Sequence, residues 1–450
     1  MRPMLKRGLL FASTMALLGP CAAQNTFQIG VDLHVTGPNF SLQATQAPLV
    51  EQGLSFRSDV FWSDLEAKKG ILRWPVSYGN LDNLVNLSVD AHRRPLLILD
   101  YGNQYYDGGK QVVSQEAINA YVRYALFVVD HYKGRVDQFE VWNEWNIGTG
   151  TNGTPGTAVA YANLLRATYT AIKANYPSVT VVGGVIGVGG KDAVWAQQFV
   201  AAGGLNYLDA FSVHPYVHCN GGITGLPRSS GNVSTSSLEI MSWLLAALPT
   251  AQASGINGTI SGTPEESMAW VDSLNSEFSS AAPARVVPVY ISEMGWPTSR
   301  GQCGIAEWAA AAYLQRLYLI ARSRPWIAGV WWYDLFDDGD DPSLREHRFG
   351  LLNAIGSAKP AYLSLSLLGG LLNSTSVSLT VGSGGEQLVA GRTSSGKLWY
   401  AAWIPTNDFS VRRPWGLGAQ LLVDGYKSMV PLAAVGSLSI GAVPVILIQK

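Results

Sequence analysis

"VDQFEVWNE", residues 136–144, is an apolar run that ends in a carboxylate set between two tryptophans, Trp142 and Trp145. Side chains alternate along a strand, so Glu140, Trp142 and Glu144 are expected on one side, with Phe139 and Val141 on the other. Only Glu144 stands at the C-terminal end. A buried lone carboxylate is costly unless it is paired or has a task, and Glu140, lying deeper, reads as a floor carboxylate bonded to an Arg or a Tyr. Runs of the same kind occur at 27–34, 54–61 and 94–102 before this one, and at 179–187, 208–216, 286–295 and 327–335 after it. Between them apolar residues recur at helical spacing, as Ile118, Tyr121, Val122, Ala125 and Val129 do in "SQEAINAYVRYALFVVDHYKG", where Gly134 closes the helix. Residues 155–176 and 304–322 read the same way. Eight strands alternating with helices predict an α/β fold, a parallel (β/α)8 TIM barrel, although the count alone also fits a doubly wound sheet.

The 450-residue chain is 47% hydrophobic and 14% charged, a globular composition. Its formal net charge of -1 gives no electrostatic reason to expect nucleic acid or an anionic membrane as partner. Arg2, Lys6 and Arg7 precede an apolar run from Gly8 to Leu18 and then the small residues Ala22 and Ala23. Residues 1–23 therefore read as a secretory signal peptide, and the mature chain as secreted or periplasmic. A lipoprotein signal at Cys21 ranks lower because Pro20 stands where a small residue is expected. No later apolar stretch is long enough to span a membrane. With Cys21 removed, Cys219 and Cys303 remain as an even pair in an oxidising compartment and are expected to form a disulfide, the alternative being two unrelated thiols.

The barrel is expected over residues 24–372, interrupted at about 220–262 by a Gly, Ser and Thr-rich insertion containing "LEIMSWLLAALP". An insertion after a barrel strand sits on the active-site face, so it reads either as a lid or cleft wall or as a peripheral packing helix. Residues 373–450 read as a small β-sandwich-like domain, with strands at "TSVSLTV", "EQLVAGR", "KLWYAAWI", "AQLLVDGY" and "VPVILIQK".

A second strand, "VVPVYISEMGWPTS", ends as the first does, in Glu293. Strand-end carboxylates on the fourth and seventh strands of a closed barrel face one another across its mouth. Glycoside cleavage needs that arrangement, one carboxyl protonating the leaving oxygen while the other attacks or guides water. Sugars offer flat apolar faces ringed by hydroxyls, and Trp62, Tyr101, Tyr105, Tyr106, Trp145, Tyr216, Trp296, Trp331 and Trp332 all lie at or just past predicted strand ends.

In chain order, "RSDVFWSDLEAKKG", "LLILDYGN", "VWNEWN", "ISEMGWPTS" and "WWYDLFDDGDDPSLREHRFGLLN" resemble the strand-end motifs of the clan A glycoside hydrolases. They are most similar to family 39 and to the exopolysaccharide-cleaving enzymes of biofilm operons grouped near it. The resemblance spans about Phe27 to Leu372, and the Gly-Trp-Pro after Glu293 is also similar to family 17 β-1,3-glucanases. It implies retaining chemistry, with Glu144 as acid/base, Glu293 as nucleophile and Asn143 as donor to the sugar 2-hydroxyl. It further implies that Arg57 supports the charge of Glu293, that His214 and Tyr216 face nucleophile and substrate, and that Trp331 or Trp332 forms a sugar platform. Tyr101 and Trp296 join the substrate-binding set. Arg57 is expected to keep Glu293 ionised, and the tryptophans near Glu144 to keep it neutral.

Other signals carry less. "GGVIGVGG" (183–190) follows the fifth strand and lacks the context of a dinucleotide loop. "DDGDDP" (337–342) lacks EF-hand spacing and reads as a solvated acidic loop, and the six histidines include no HExxH. The expectation is an exported, monomeric, retaining glycoside hydrolase acting on a polysaccharide or oligosaccharide by double displacement, without metal or cofactor. Endo action is favoured by the aromatic supply. Exo action, transglycosylation and a non-catalytic carbohydrate-binding barrel are the alternatives.

Overall fold

The computed structural model describes residues 27–37, 40–187, 192–216, 262–300, 304–429 and 438–450. The expected signal peptide (1–23), the Cys219–Cys303 disulfide and nearly all of the 220–262 insertion lie outside the described residues. The barrel strands are β1 (Gln28–Asp32), β2 (Ser55–Phe61), β3 (Leu96–Asp100), β4 (Gln138–Val141), β5 (Thr180–Gly187), β6 (Ala210–His214), β7 (Val289–Met294) and β8 (Ile327–Trp332). They pair in sequence order, and β8 returns to pair in parallel with β1. That closure removes the doubly wound alternative, whose sheet is open.

Barrel interiors are filled by side chains, and here Leu96, Val182, Ala210, Tyr290, Ala328 and Trp331 form an inner cluster. Trp331 stacks on Tyr290 with ring centroids 5.3 Å apart. Gly30 makes its room, since a Cβ there would lie 2.1 Å from the indole. Outside, helices cover the strands. Gln115–His131 starts at Ser114, whose hydroxyl accepts from the Ala117 amide, and buries Ile118, Tyr121, Ala125 and Val129. Among the described residues no helix is long and apolar enough to cross a membrane.

Beyond the helix Pro360–Leu372 come β9 (Ser376–Val381), β10 (Gln387–Arg392), β11 (Leu398–Trp403), β12 (Arg413–Pro414), β13 (Tyr426–Ser428), β14 (Ser439–Ile440) and β15 (Val445–Gln449). A five-stranded sheet runs β13-β15-β11-β10-β9, and β12 pairs with β14. "AQLLVDGY" is not a strand: Gly416–Val423 is helical, as its Ala, Gln and Leu content favours, and only Tyr426 enters the sheet. Among the described residues the second layer is this helix with the short ribbon, in place of a full second sheet. The small domain packs on the barrel flank. Trp403 Nε1 donates to Glu265 at 2.7 Å, Arg316 to the Thr406 carbonyl at 2.8 Å, and Trp308 meets Phe409 edge-on at 4.5 Å.

Candidate active site

β4 ends at Val141, and the chain then passes through positive φ at Trp142 (68°) and Glu144 (49°). This conformation is strained for residues with a Cβ, and it breaks the alternation expected from sequence. Trp142 therefore does not share a side with Glu140; it packs outside the barrel wall against Tyr101, Tyr121 and Trp145. The Glu144 carbonyl accepts from the amides of Ile147, Gly148 and Thr149, closing a tight turn. On the far side of the mouth the register of β7 against β8 shifts between Ile291 and Met294. Such a shift re-aims side chains, and here consecutive residues Ser292 and Glu293 both face the mouth.

Glu144 and Glu293 meet there. One oxygen of each, with one nitrogen of His214, lies within 4.8 Å of the others. Glu144 Oε1 lies 2.9 Å from His214 Nδ1, and Glu144 Oε2 accepts from the Thr149 hydroxyl at 2.9 Å. Glu293 Oε1 accepts from the Tyr216 hydroxyl at 2.8 Å, and Oε2 from Arg57 at 3.2 Å and near His214 Nδ1 at 3.6 Å. The other ring nitrogen of His214 is held by Ser292 at 3.0 Å. The glutamate side chains are 14% and 13% exposed, desolvated yet open to a ligand.

Beneath them Arg57 joins four partners: Glu140 at 2.6 Å, Asn143 Oδ1 at 2.9 Å, Glu293 at 3.2 Å and Asp32 at 3.3 Å. Glu140 is thus the floor carboxylate that its depth in the strand predicts. Asn143 donates in turn to the Tyr101 hydroxyl at 3.0 Å, which fixes its amide with one N–H to spare. Gly187, at the end of β5, leaves room for Glu144, because a Cβ there would lie 2.8 Å from Oε1. Gly187 is clamped by reciprocal hydrogen bonds with Asn146.

Three expected substrate contacts are corrected. Trp296, Trp331 and Trp332 are at most 1% exposed and offer no face to a sugar. Trp331 fills the barrel, while Trp332 and Trp296 pack together at 5.9 Å, with the Trp296 indole donating to the Gly262 carbonyl. Their positions follow from the pleat: β8 pairs Trp331 and Trp332 with Gly30 and Val31, below the rim. Tyr333, one residue further, stands at the rim instead, bonded to His34 at 3.2 Å and edge-on to Phe349. Sequence reasoning also passed over Thr149, Ser292 and Asp32. Asp32 closes its strand as Glu144 and Glu293 end theirs, a signal open to the same reasoning, whereas Thr149 and Ser292 carry none.

The proton order also differs from expectation. Burial pushes Glu144 upward, but the hydrogen bond and charge of His214, the Thr149 hydroxyl and Arg57 outweigh it and leave its carboxyl below the ordinary value. Burial raises Glu293, and the charge of Glu144 adds to this, so that His214, Arg57 and Tyr216 offset it only in part. The tryptophans do not keep Glu144 neutral because they lie behind the loop and donate to neither oxygen. Arg57 does not suffice for Glu293 because its charge is divided among three carboxylates. In the free protein the pair's proton therefore rests toward Glu293.

The Glu144–His214–Glu293 grouping has the spacing to take a cation. Arg57 stands against a second positive charge there, and both carboxylates already accept hydrogen bonds. An open depression of about 530 Å³ lies at the opposite end of the barrel among His92, Arg93, Arg94, Lys133 and Arg135. Those cations follow helix C-termini, where the macrodipole favours them, and no carboxylate pair accompanies them.

No protein-family model matches the sequence, and no curated protein matches it. Solved structures do. A family 39 glycoside hydrolase from the gut symbiont Bacteroides cellulosilyticus WH2 superposes with a TM-score of 0.68 at 23% identity, over 96% of this chain and 83% of that one. The chain shares the (β/α)8-barrel fold of that enzyme. A monomeric beta-xylosidase from Caulobacter crescentus CB15 matches at TM-score 0.55 and 15% identity, over 96% of this chain and 97% of that one. A family 5 subfamily 18 structure from Streptomyces cattleya in complex with GlcNAc matches at 0.54 and 15%, over 76% and 80%. At these identities the clan A likeness is one of fold, and the chemistry rests on the geometry of the site.

Proposed function

We propose that the protein is an exported, monomeric, retaining glycoside hydrolase that cleaves a polysaccharide internally through a covalent glycosyl-enzyme. The observation that carries this reading is the pair Glu144 and Glu293, with oxygens within 4.8 Å across the barrel mouth. Retaining catalysis calls for carboxyls ~5 to 5.5 Å apart and inverting catalysis for ~6.5 to 9.5 Å, the wider gap admitting a water. The partners distinguish the roles. Glu293, gripped by Tyr216 and Arg57, is the fixed carboxylate that attacks the anomeric carbon. Glu144, bonded to the imidazole of His214, is the group that gives its proton to the leaving oxygen and then takes one from the incoming water.

The resting proton order requires one rearrangement. Glu144 must hold the proton as the bond breaks, and His214 Nδ1, 2.9 Å from Glu144 and 3.6 Å from Glu293, contacts both ends of that transfer. Only the fraction of molecules with the proton on Glu144 reacts. Asn143, fixed by Arg57 and Tyr101, turns its free N–H toward the bound sugar. Export rests on the N-terminal segment 1–23, and internal cleavage on the supply of aromatic side chains around the mouth.

The test is release of new reducing ends from a panel of plant and bacterial polysaccharides by wild type, Glu144→Ala and Glu293→Ala, with proton NMR of the first-formed anomer. Turnover by wild type alone, with the substrate's anomeric configuration kept in the product, supports the proposal. Inversion of the anomer refutes the retaining mechanism, and turnover surviving in Glu293→Ala refutes the assignment of the nucleophile.

A further inference from the structure

Beside the mouth, where β1 and β8 end next to each other, His34, Asp334 and Asp338 each present one ligand atom within 4.8 Å of the others. Asp334 is 3% exposed, and among the described residues its Oδ1 meets no hydrogen-bond donor. The cations close by, Lys359 and Arg348, both bind Asp337 instead. A buried carboxylate oxygen left without a partner costs free energy that a bound ligand can recover. His34 and Asp338 lie above it at the surface, their side chains 44% and 35% exposed, so the opening faces solvent.

We infer that His34, Asp334 and Asp338 form a binding site for one divalent transition-metal ion of the manganese-to-zinc class, separate from the catalytic glutamates. The donor set is one imidazole nitrogen with two carboxylates. Imidazole suits zinc and its neighbours, carboxylate suits manganese and magnesium, and the mixture selects the borderline ions over calcium. Ligands ~2.0 to 2.2 Å from a metal stand ~3 to 4 Å apart. Closing the group from its present spacing takes small side-chain rotations, which the exposed His34 and Asp338 can make while the buried Asp334 stays fixed. His34 Nε2 now rests between the Tyr333 hydroxyl at 3.2 Å and Asp338 at 3.6 Å, and a metal takes over that nitrogen.

The ion ties the β1 loop to the β8 loop on the wall of the cleft. Tyr333 is edge-on to Phe349, Phe349 is edge-on to Tyr216, and Tyr216 holds Glu293. The site thus braces one side of the mouth through packed rings. The assignment does not depend on what the cleft hydrolyses.

The test is isothermal titration of the mature full chain, stripped with chelator and dialysed, with Mn2+ and with Zn2+. Wild type is expected to take up one saturable equivalent of one of these ions, Glu293→Gln to keep it, and His34→Ala and Asp334→Asn to weaken it at least ten-fold. His34 is a half-exposed loop residue, so His34→Ala decides the matter if Asp334→Asn does not fold. The inference is overturned if wild type binds neither ion saturably, if His34→Ala keeps wild-type affinity, or if Glu293→Gln loses the equivalent, which would move the ion into the catalytic cluster.

Discussion

Gly187→Ala isolates the proton donor without touching it. The Cβ that alanine adds would stand 2.8 Å from Glu144 Oε1, and ordinary van der Waals contact begins at 3.4 Å, so the oxygen must retreat by about 0.6 Å. It has little freedom to do so, held at 2.9 Å by His214 and, through its other oxygen, at 2.9 Å by Thr149. Ile147, also crowded at 2.9 Å, can rotate away. A misplacement of ~1 Å in a catalytic group costs ~100-fold in rate, so a shift of this size predicts a loss of roughly ten- to a hundred-fold. That is ~1.4 to 2.7 kcal/mol of transition-state stabilisation. The loss falls on acid assistance, which a poor leaving group needs and a dinitrophenolate does not. The assay therefore compares kcat on the natural polymer with kcat on a dinitrophenyl glycoside of the same sugar. The polymer should lose the full factor and the aryl glycoside little. An equal loss on both, or none on the polymer, refutes the assignment of Glu144 as the proton donor held by this wall.

Three further outcomes follow from the same contacts. His214→Phe removes the hydrogen bond and charge that lower Glu144 and the charge that lowers Glu293; both the acid limb of the kcat/KM pH profile, set by Glu144 as the lower of the pair, and the alkaline limb, set by Glu293, should move to higher pH, and a move of the acid limb to lower pH contradicts this account. Asp100 is wholly buried, its carboxyl raised well above the ordinary value first by burial and then by the charge of Asp59. The folded state therefore binds this proton more tightly than the unfolded chain, and folding stability falls as pH climbs from the ordinary carboxyl range through the folded value. Asp100→Asn should gain on wild type in thermal melts as pH rises over that span, and a gap that narrows as pH rises contradicts the account. Trp331→Ala empties the barrel and should cost ~3 to 5 kcal/mol in denaturant melts, whereas Tyr333→Ala at the rim should raise KM with little change in stability. The opposite pattern would return the sugar platform to Trp331.

The eight strand-helix units were legible because apolar runs and helical spacing are local properties, whereas closure is a tertiary property, fixed by the pairing of β8 with β1. The glutamates were legible for a related reason: a carboxylate near or just past the end of an apolar strand comes out at the mouth. What failed was the extrapolation of alternation past the strand end. Trp142 and Glu144 take positive φ, a choice made by tertiary packing against Tyr121 and Trp145, and no propensity announces it. Trp331 and Trp332 were misplaced because position in a strand gives the side but not the depth, and depth is set by pairing with Gly30 and Val31. The helix at Gly416–Val423 was read as a strand because a short apolar run satisfies either period.

The electrostatics of the mouth belong to the fold and not to any one strand. Arg57 faces Asp32, Glu140 and Glu293, one fixed positive charge against three buried carboxyls. Full ionisation of all three would leave two uncompensated charges in a desolvated site, which is too costly to persist. Protons must reside among them. Burial, opposed by Arg57, leaves Asp32 well above its ordinary value. A neutral Asp32 leaves Arg57 to divide its charge between Glu140, its nearest partner at 2.6 Å, and Glu293 at 3.2 Å. Glu293 therefore receives part of one positive charge. That share leaves it the better place for the pair's proton at rest, yet holds it in line to attack once substrate draws the proton to Glu144. Replacing Asp32 by Asn keeps the shape and the neutral state, so its activity should stay near that of wild type. Replacing Glu140 by Gln releases Arg57 toward Glu293, which should lower the alkaline limb of the pH profile, where Glu293, the higher of the pair, gives up its proton.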